Sequence, residues 1–89
     1  GAKYYYELGS SSQSKNDTDN AKTYFDKCIK CTGDGDEIRY SAMYQLAKIA
    51  EKAGDNNTAA KYFTTVASKH PVEAIRNEAK KFVEQYRES

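Results

Sequence analysis

Two cysteines three residues apart are the first feature of this sequence that could carry chemistry. Cys28 and Cys31 stand in the stretch CIKC, which has the spacing of thiol redox motifs. Such motifs work where a helix begins after a strand, because the positive end of the helix lowers the thiol pKa. Here helical spacing runs up to the motif, so the cysteines fall at a helix end. We expect a buried Cys28 and a more exposed Cys31, and a thiol redox function is the least favoured alternative.

No metal site is predicted. Zinc needs about four ligands, and the single histidine, His70, would have to come from another helix end. The acidic stretches that begin at Asp17 and Asp34 lack the third oxygen ligand of a calcium loop, because Ala21 and Ile38 occupy that position. Both stretches are better explained as helix caps.

Catalysis and cofactor binding are not predicted either. His70 stands beside Pro71 with no nucleophile that the sequence assigns to it. A capping role at a helix end explains this histidine, and no glycine-rich phosphate loop is present. We therefore expect no enzyme activity and no cofactor.

Composition limits the remaining choices. The chain has 89 residues, enough for one small domain, with 14 basic and 13 acidic residues and a formal net charge of +1. This balance argues against nucleic-acid binding through a basic face, and no apolar run is long enough for membrane insertion. The start at Gly1-Ala2 predicts a domain excised from a longer protein. The compartment, whether bacterial periplasm, envelope or cytoplasm, is not resolved.

Apolar residues recur every three or four positions in five segments, and none alternates as a strand would. The longest has Ile38, Ala42, Leu46, Ile49 and Ala53. The prediction is an all-α fold of five helices, with consecutive helices antiparallel because the loops are short.

Helix caps can also be predicted. Asp17 or Asp19 is expected to cap the second helix, and Asp34 with Glu37 the third as a capping box. Gly54 suits the end of the third helix.

The sequence repeats itself 38 residues later without a gap. Six pairs are identical: Tyr6 and Tyr44, Leu8 and Leu46, Asp17 and Asp55, Ala21 and Ala59, Tyr24 and Tyr62, and Phe25 and Phe63. Periods of 20–50 residues are typical of helical repeats that stack on one another.

The matched positions resemble the tetratricopeptide repeat. The residues that fit its packing pattern are Tyr5, Leu8, Gly9, Ala21 and Phe25 in the first copy and Met43, Leu46, Ala47, Ala59, Phe63 and Pro71 in the second. The resemblance implies an α-α superhelix of two antiparallel hairpins, about residues 2–35 and 36–71, and a capping helix at about 72–87. Residues 44–86 are most similar to tetratricopeptide proteins of the bacterial envelope, such as Tol–Pal coordinators and the β-barrel assembly lipoprotein.

Three departures accompany the resemblance. Gly33 stands where the first copy should end in proline, and Ser12 and Ala50 replace an expected aromatic residue. The period exceeds the family's by four residues, about one helical turn, so the same faces stay buried.

The resemblance also implies a concave face lined by the first helix of each hairpin. Its inward residues would be Tyr6, Ser10, Gln13, Ser41, Tyr44, Lys48 and Glu51. The expected function is a non-catalytic module that binds a protein, as a peptide or partner helix, on this face. The alternative is a structural unit that self-associates through its terminal helices.

Overall fold

The computed structural model describes residues 1–88 and confirms the all-α fold. Within these residues there are five helices and no strand: α1 (Ala2–Ser14), α2 (Thr18–Lys30), α3 (Glu37–Lys52), α4 (Asn56–Lys69) and α5 (Glu73–Glu88). None of these helices has the length and apolar character needed to cross a membrane. Each helix packs on its neighbours in sequence, and α1 also contacts α3. The two hairpins, α1–α2 and α3–α4, therefore stack in a row, and α5 packs on the last helix.

The turns inside the two hairpins have the same geometry. Each contains one residue with a positive φ, 60° at Asn16 and 80° at Gly54. The next residue, Asp17 or Asp55, donates its backbone N–H to a carbonyl five residues earlier at 2.9 Å. Its carboxylate accepts a hydrogen bond from a backbone N–H of the following helix. One aspartate thus helps to close one helix and caps the next.

The start of α3 differs from the expected capping box. The N-cap is Asp36 instead of Asp34, and no side chain caps the helix there. A tight turn, in which the N–H of Asp36 donates to the carbonyl of Gly33, turns the Asp36 carboxylate back toward the N–H of Gly33 at 2.9 Å. Asp34 contributes only its carbonyl, which accepts a hydrogen bond from the Tyr40 hydroxyl at 2.7 Å. The predicted pairing of Asp34 with Glu37 therefore does not form.

The core consists of two clusters, one between the two hairpins and one that joins the second hairpin to α5. The first cluster has Ala21, Phe25 and Cys28 of α2 with Ala42 and Leu46 of α3. The second joins α3, α4 and α5 through Ala47, Ala50, Ala59, Phe63, Val66 and Ala79. Both phenylalanines are almost fully buried. Since α3 contributes to both clusters, it connects the two hairpins.

Most of the residues expected to pack between helices are buried: Gly9, Ala21, Phe25, Leu46, Ala47, Ala59 and Phe63. Tyr5 is half-buried against the first cluster. Leu8 is half-buried and belongs to neither cluster. Pro71 is exposed in the link between α4 and α5, where it ends the helix without packing.

Candidate functional site

Helices α1, α3 and α5 present side chains that are bonded to one another across the helices. We call this surface the inner face, and its bonded residues are Tyr6, Gln13, Tyr44, Gln45, Lys48 and Glu78. Tyr6 and Gln13 lie two turns apart on α1, while Tyr44 and Gln45 each lie about one turn before Lys48 on α3. The positions of the predicted groove residues can therefore be compared with the inner face.

Amide groups connect α1 to α3. The Gln13 side chain donates from Nε2 to Oε1 of Gln45 at 3.2 Å, and Gln45 donates from Nε2 to the Tyr6 hydroxyl at 3.5 Å. The Tyr6 ring contacts Phe25 edge to face, with centroids 5.4 Å apart. Tyr6 thus has its ring on the core and its hydroxyl in the polar network.

A carboxylate connects α3 to α5. Glu78 accepts a hydrogen bond from the Tyr44 hydroxyl at 2.9 Å and forms an ion pair with Lys48 Nζ at 3.0 Å. Burial alone would raise the pKa of Glu78, but the bonds from Lys48 and Tyr44 outweigh it and hold the pKa below its usual value. The bond to Glu78 also raises the pKa of Lys48, so both groups stay charged. Tyr44 and Lys48 are consequently already engaged within the chain.

An open cleft lies between the carboxyl ends of α1 and α3. It encloses about 560 Å³ and is lined by Gln13, Asn16, Thr18, Lys48, Ile49, Glu51, Lys52 and Ala53. Ile49 and Ala53 give it an apolar part, while the other side chains are polar or charged. A bound group could therefore bury apolar area against Ile49 and Ala53 and find hydrogen-bond partners among the polar side chains.

A second, smaller depression lies between α3 and α5. It encloses about 150 Å³ and is lined by Glu51, Phe63, Glu78, Lys81, Phe82 and Gln85. Lys48 lines the larger cleft and Glu78 lines the smaller one, so their ion pair lies between the two.

The seven predicted groove residues fall into three groups. Gln13, Lys48 and Glu51 line the larger cleft. Tyr6 and Tyr44 belong to the bonded network beside it. Ser10 and Ser41 are half-buried and line neither depression.

Sequence reasoning missed the contribution of α5 to this face. Glu78, Lys81 and Gln85 lie 37 residues after Ser41, Tyr44 and Lys48, so α5 continues the pattern of α3 with one residue fewer. Extending the repeat comparison into the last helix would have identified them.

The cysteines do not form a reactive pair in this structure. Cys28 is fully buried in the first cluster, and burial, together with the neighbouring Cys31, raises the pKa of its thiol. Cys31 is exposed at the end of α2. A protonated thiol with no solvent access is a poor nucleophile. Within residues 1–88, no three His, Cys, Asp or Glu side chains gather as a metal site would require.

His70 has a structural part in the link between α4 and α5. Its side chain is only 4% exposed, and Nδ1 accepts a hydrogen bond from the Val72 N–H at 3.0 Å. The His70 carbonyl accepts a second bond, from the Arg76 guanidinium, at 2.7 Å. Burial, assisted by the charge of Arg76, holds the pKa of His70 below its usual value. The imidazole is therefore neutral near pH 7, and its acceptor nitrogen holds the backbone that leads into α5.

Comparison with known protein families gives two matches of one kind. The tetratricopeptide repeat pattern matches residues 2–31 and again residues 41–71, which together make up more than half of the chain. The search of curated proteins and the search of solved structures gave no match. The first match contains α1 and α2, and the second contains most of α3 and all of α4.

Proposed function

Because this chain belongs to the tetratricopeptide repeat family, whose repeats generally mediate protein–protein interaction, we propose that it binds a peptide or partner helix on its inner face. The family is generally non-catalytic, in keeping with a buried Cys28 and an engaged His70. The observation that carries the proposal is the cleft of about 560 Å³ between α1 and α3.

The binding residues in this proposal differ in part from the groove that the resemblance implies. Tyr44 and Lys48 are bonded to Glu78, so a partner would have to displace that carboxylate in order to use them. Glu51 and Lys52 are exposed at the rim of the cleft. We assign direct partner contact to Gln13, Glu51 and Lys52, and to Ile49 where an apolar side chain enters the cleft.

Exchange of the rim charges tests this assignment. The double variant Glu51→Lys/Lys52→Glu leaves the net charge and the core unchanged while inverting the charge pattern of the cleft. Lys80→Glu/Glu84→Lys makes the matched exchange on exposed residues of α5, away from the cleft. Proteins captured by the wild-type chain are compared with those captured by each variant. A purified captured protein is then titrated against all three chains.

We expect the partner to bind the wild-type chain and the α5 variant with similar Kd and the cleft variant at least tenfold more weakly. Equal binding by all three chains would show that the cleft is not the binding site. Loss of binding by the α5 variant alone would indicate a binding site on the outer side of α5.

Two finer proposals accompany this function. The sequence of residues 44–86 supports a likeness to tetratricopeptide proteins of the bacterial envelope, and fractionation of the source cell would test it. Self-association through the terminal helices would appear as a sedimentation coefficient that rises with concentration.

A further inference from the structure

The link between α4 and α5 depends on His70, which bonds to both helices. Its backbone N–H donates to the Val66 carbonyl at 3.0 Å and so closes α4. Its carbonyl accepts a hydrogen bond from the Arg76 guanidinium at 2.7 Å, and its Nδ1 accepts one from the Val72 N–H at 3.0 Å. Two of these three bonds therefore hold the beginning of α5.

The bond from Val72 requires an imidazole with no proton on Nδ1. A backbone N–H can only donate, and a protonated imidazole donates from both of its nitrogens. Protonation of His70 would therefore place two donors against each other across the present 3.0 Å separation. The side chain is only 4% exposed, so water has little access to supply the missing acceptor while α5 stays in place.

The surroundings of His70 do not compensate an added positive charge. Burial and, less strongly, the charge of the Arg76 guanidinium on α5 lower the pKa of the imidazole. On the α3 side, the Tyr44 ring lies edge to face with the imidazole, with centroids 6.1 Å apart. The charge of Glu37, also on α3, acts to raise the pKa of His70, but its effect is smaller than the other two. The packed arrangement thus favours the neutral imidazole.

The other attachments of α5 are few. Within residues 1–88, its backbone packs on α4 alone, and the Phe82 ring contacts Phe63 with centroids 4.7 Å apart. The ion pair between Glu78 and Lys48 is more than 40% exposed on both sides and contributes little. A terminal helix held by one interface can detach while the rest of a helical stack stays folded.

We propose that His70 is a proton-sensitive switch for α5: protonation at Nδ1 breaks the bond from Val72, and α5 detaches while α1 to α4 stay folded. Glu78 leaves the inner face together with α5. Tyr44 and Lys48, which it holds in the closed arrangement, then become free to contact a partner. The release of α5 requires no partner, and only its consequence for binding rests on the proposed function.

Proton linkage limits the size of the effect. If the detached imidazole has the ordinary pKa of about 6.5, the ratio of detached to docked α5 can rise at most about 25-fold between pH 7 and pH 5. Docking is favoured fully above about pH 6.5, and this advantage is lost as the pH falls. Although burial acts to raise it, the bonds from Lys48 and Tyr44 hold the pKa of Glu78 below its usual value. Docked Glu78 therefore stays charged in this range.

Amide hydrogen exchange, followed by NMR on the complete chain without a partner, tests the switch. Rates at pH 5 and pH 7 are corrected for the intrinsic pH dependence of exchange and measured again in low urea. Opening of one helix depends less on urea than global unfolding does, because it exposes less surface. We expect α5 amides, such as those of Ala79 and Phe82, to show this weak urea dependence and to open about 5- to 25-fold more often at pH 5. The Leu46 amide of α3 should stay better protected at both pH values.

The control is His70→Asn, whose amide oxygen can accept the Val72 N–H and does not titrate. In this variant, α5 should open equally often at pH 5 and pH 7. The wild-type chain supplies a second readout that does not depend on the variant's folding. The ¹⁵N shifts of the His70 ring should show the neutral form with its proton on Nε2, and its titration midpoint should lie below about 6.5.

The proposal fails if α5 opens equally often at both pH values in the wild-type chain, or if His70→Asn keeps the dependence. It also fails if the α5 and α3 amides share one opening frequency and one urea dependence, because acid would then unfold the chain as a whole. A neutral ring with its proton on Nδ1 would contradict it as well. None of these results bears on the cleft, because the experiment contains no partner.

Discussion

At the scale of single residues, Gly9 determines how closely α1 approaches α2. A Cβ at this position would lie 2.8–2.9 Å from three ring atoms of Phe25, which is fully buried and cannot move away freely. Gly9→Ala improves helix propensity by about 1 kcal/mol, but overpacking costs about 1–3 kcal/mol. We expect a net loss of up to about 2 kcal/mol in the free energy of unfolding, measured by urea denaturation.

The control for Gly9 is Gly35→Ala. No atom lies within 4 Å of a Cβ at position 35, and its φ is not positive. This change should alter stability by no more than about 0.5 kcal/mol. Equal effects of the two substitutions would show that close approach is not what requires glycine at position 9.

His70 should make stability depend on pH. The folded protein holds the pKa of His70 below its usual value of 6.5 because the imidazole is buried and near Arg76. The unfolded chain therefore binds a proton more readily, and protonation favours unfolding. The contribution of neutral His70 is complete above about pH 6.5 and is lost as the pH falls from there through the lower folded pKa.

Urea denaturation between about pH 5 and pH 7 tests this dependence, because His70 is the only histidine and the ordinary histidine pKa of about 6.5 lies in this range. His70→Asn supplies an amide oxygen that can accept the same N–H from Val72 and does not titrate. In this variant, the free energy of unfolding should depend less on pH than in the wild-type chain. If the dependence is unchanged, a group other than His70 causes it.

At the scale of the elements, the two hairpin turns differ in one informative position. Gly54 and Asn16 both adopt a positive φ. For residues other than glycine this backbone conformation costs about 1–2 kcal/mol, and the cost is smaller for asparagine. Gly54→Ala should lower the free energy of unfolding by about 1 kcal/mol. Asn16→Gly should leave it unchanged or raise it slightly. Thermal melts compare the stabilities of these two variants with that of the wild-type chain. If Asn16→Gly destabilises the protein, the Asn16 side chain contributes more to stability than relief of the positive φ.

The link between α3 and α5 should contribute little to stability. Lys48 and Glu78 are each more than 40% exposed, and exposed ion pairs contribute about 0–1 kcal/mol. Glu78→Gln removes the charge but keeps an acceptor for Tyr44. A double-mutant cycle with Lys48→Met should give a coupling below about 1 kcal/mol that shrinks at high salt. A larger coupling that salt does not change would mean that this ion pair determines where α5 lies.

Local patterns predicted most of the elements, because helix ends depend on nearby residues. Asp17 caps α2, one of the two candidates, and Gly54 has the positive φ expected beyond the end of α3. The cap of α3 was predicted wrongly, since the turn from Gly33 to Asp36 competes for the carboxylate that would have capped the helix.

The candidate site was predictable only in part. The resemblance implied that Gln13, Lys48 and Glu51 share one face, and all three line the same cleft. It gave no sign that Glu78 binds Tyr44 and Lys48, since that contact depends on the angle at which α5 packs on α4. Which positions meet across helices is a tertiary property.

At the scale of the whole molecule, Leu8 and Leu46 make a matched pair. They occupy the same position in the two copies, yet Leu46 is 5% exposed in the first cluster while Leu8 is outside both. Leu46→Ala should cost about 2–4 kcal/mol, because it leaves a cavity between the hairpins. Leu8→Ala should cost less than about 1 kcal/mol. Equal costs in thermal or urea unfolding would mean that the repeat positions are equivalent in energy as well as in sequence.

The stacking of helices on their neighbours also determines how the molecule would respond to a pulling force. The backbones of α1 and α5 do not approach each other, and the molecule measures 37 Å along its longest axis. Tension applied to the two ends would therefore act on one interface after another. The terminal helix α5, whose backbone packs only on α4, would detach first. Under load the chain would lengthen in steps, as an extensible tether does, while the hairpin of α3 and α4 remained folded.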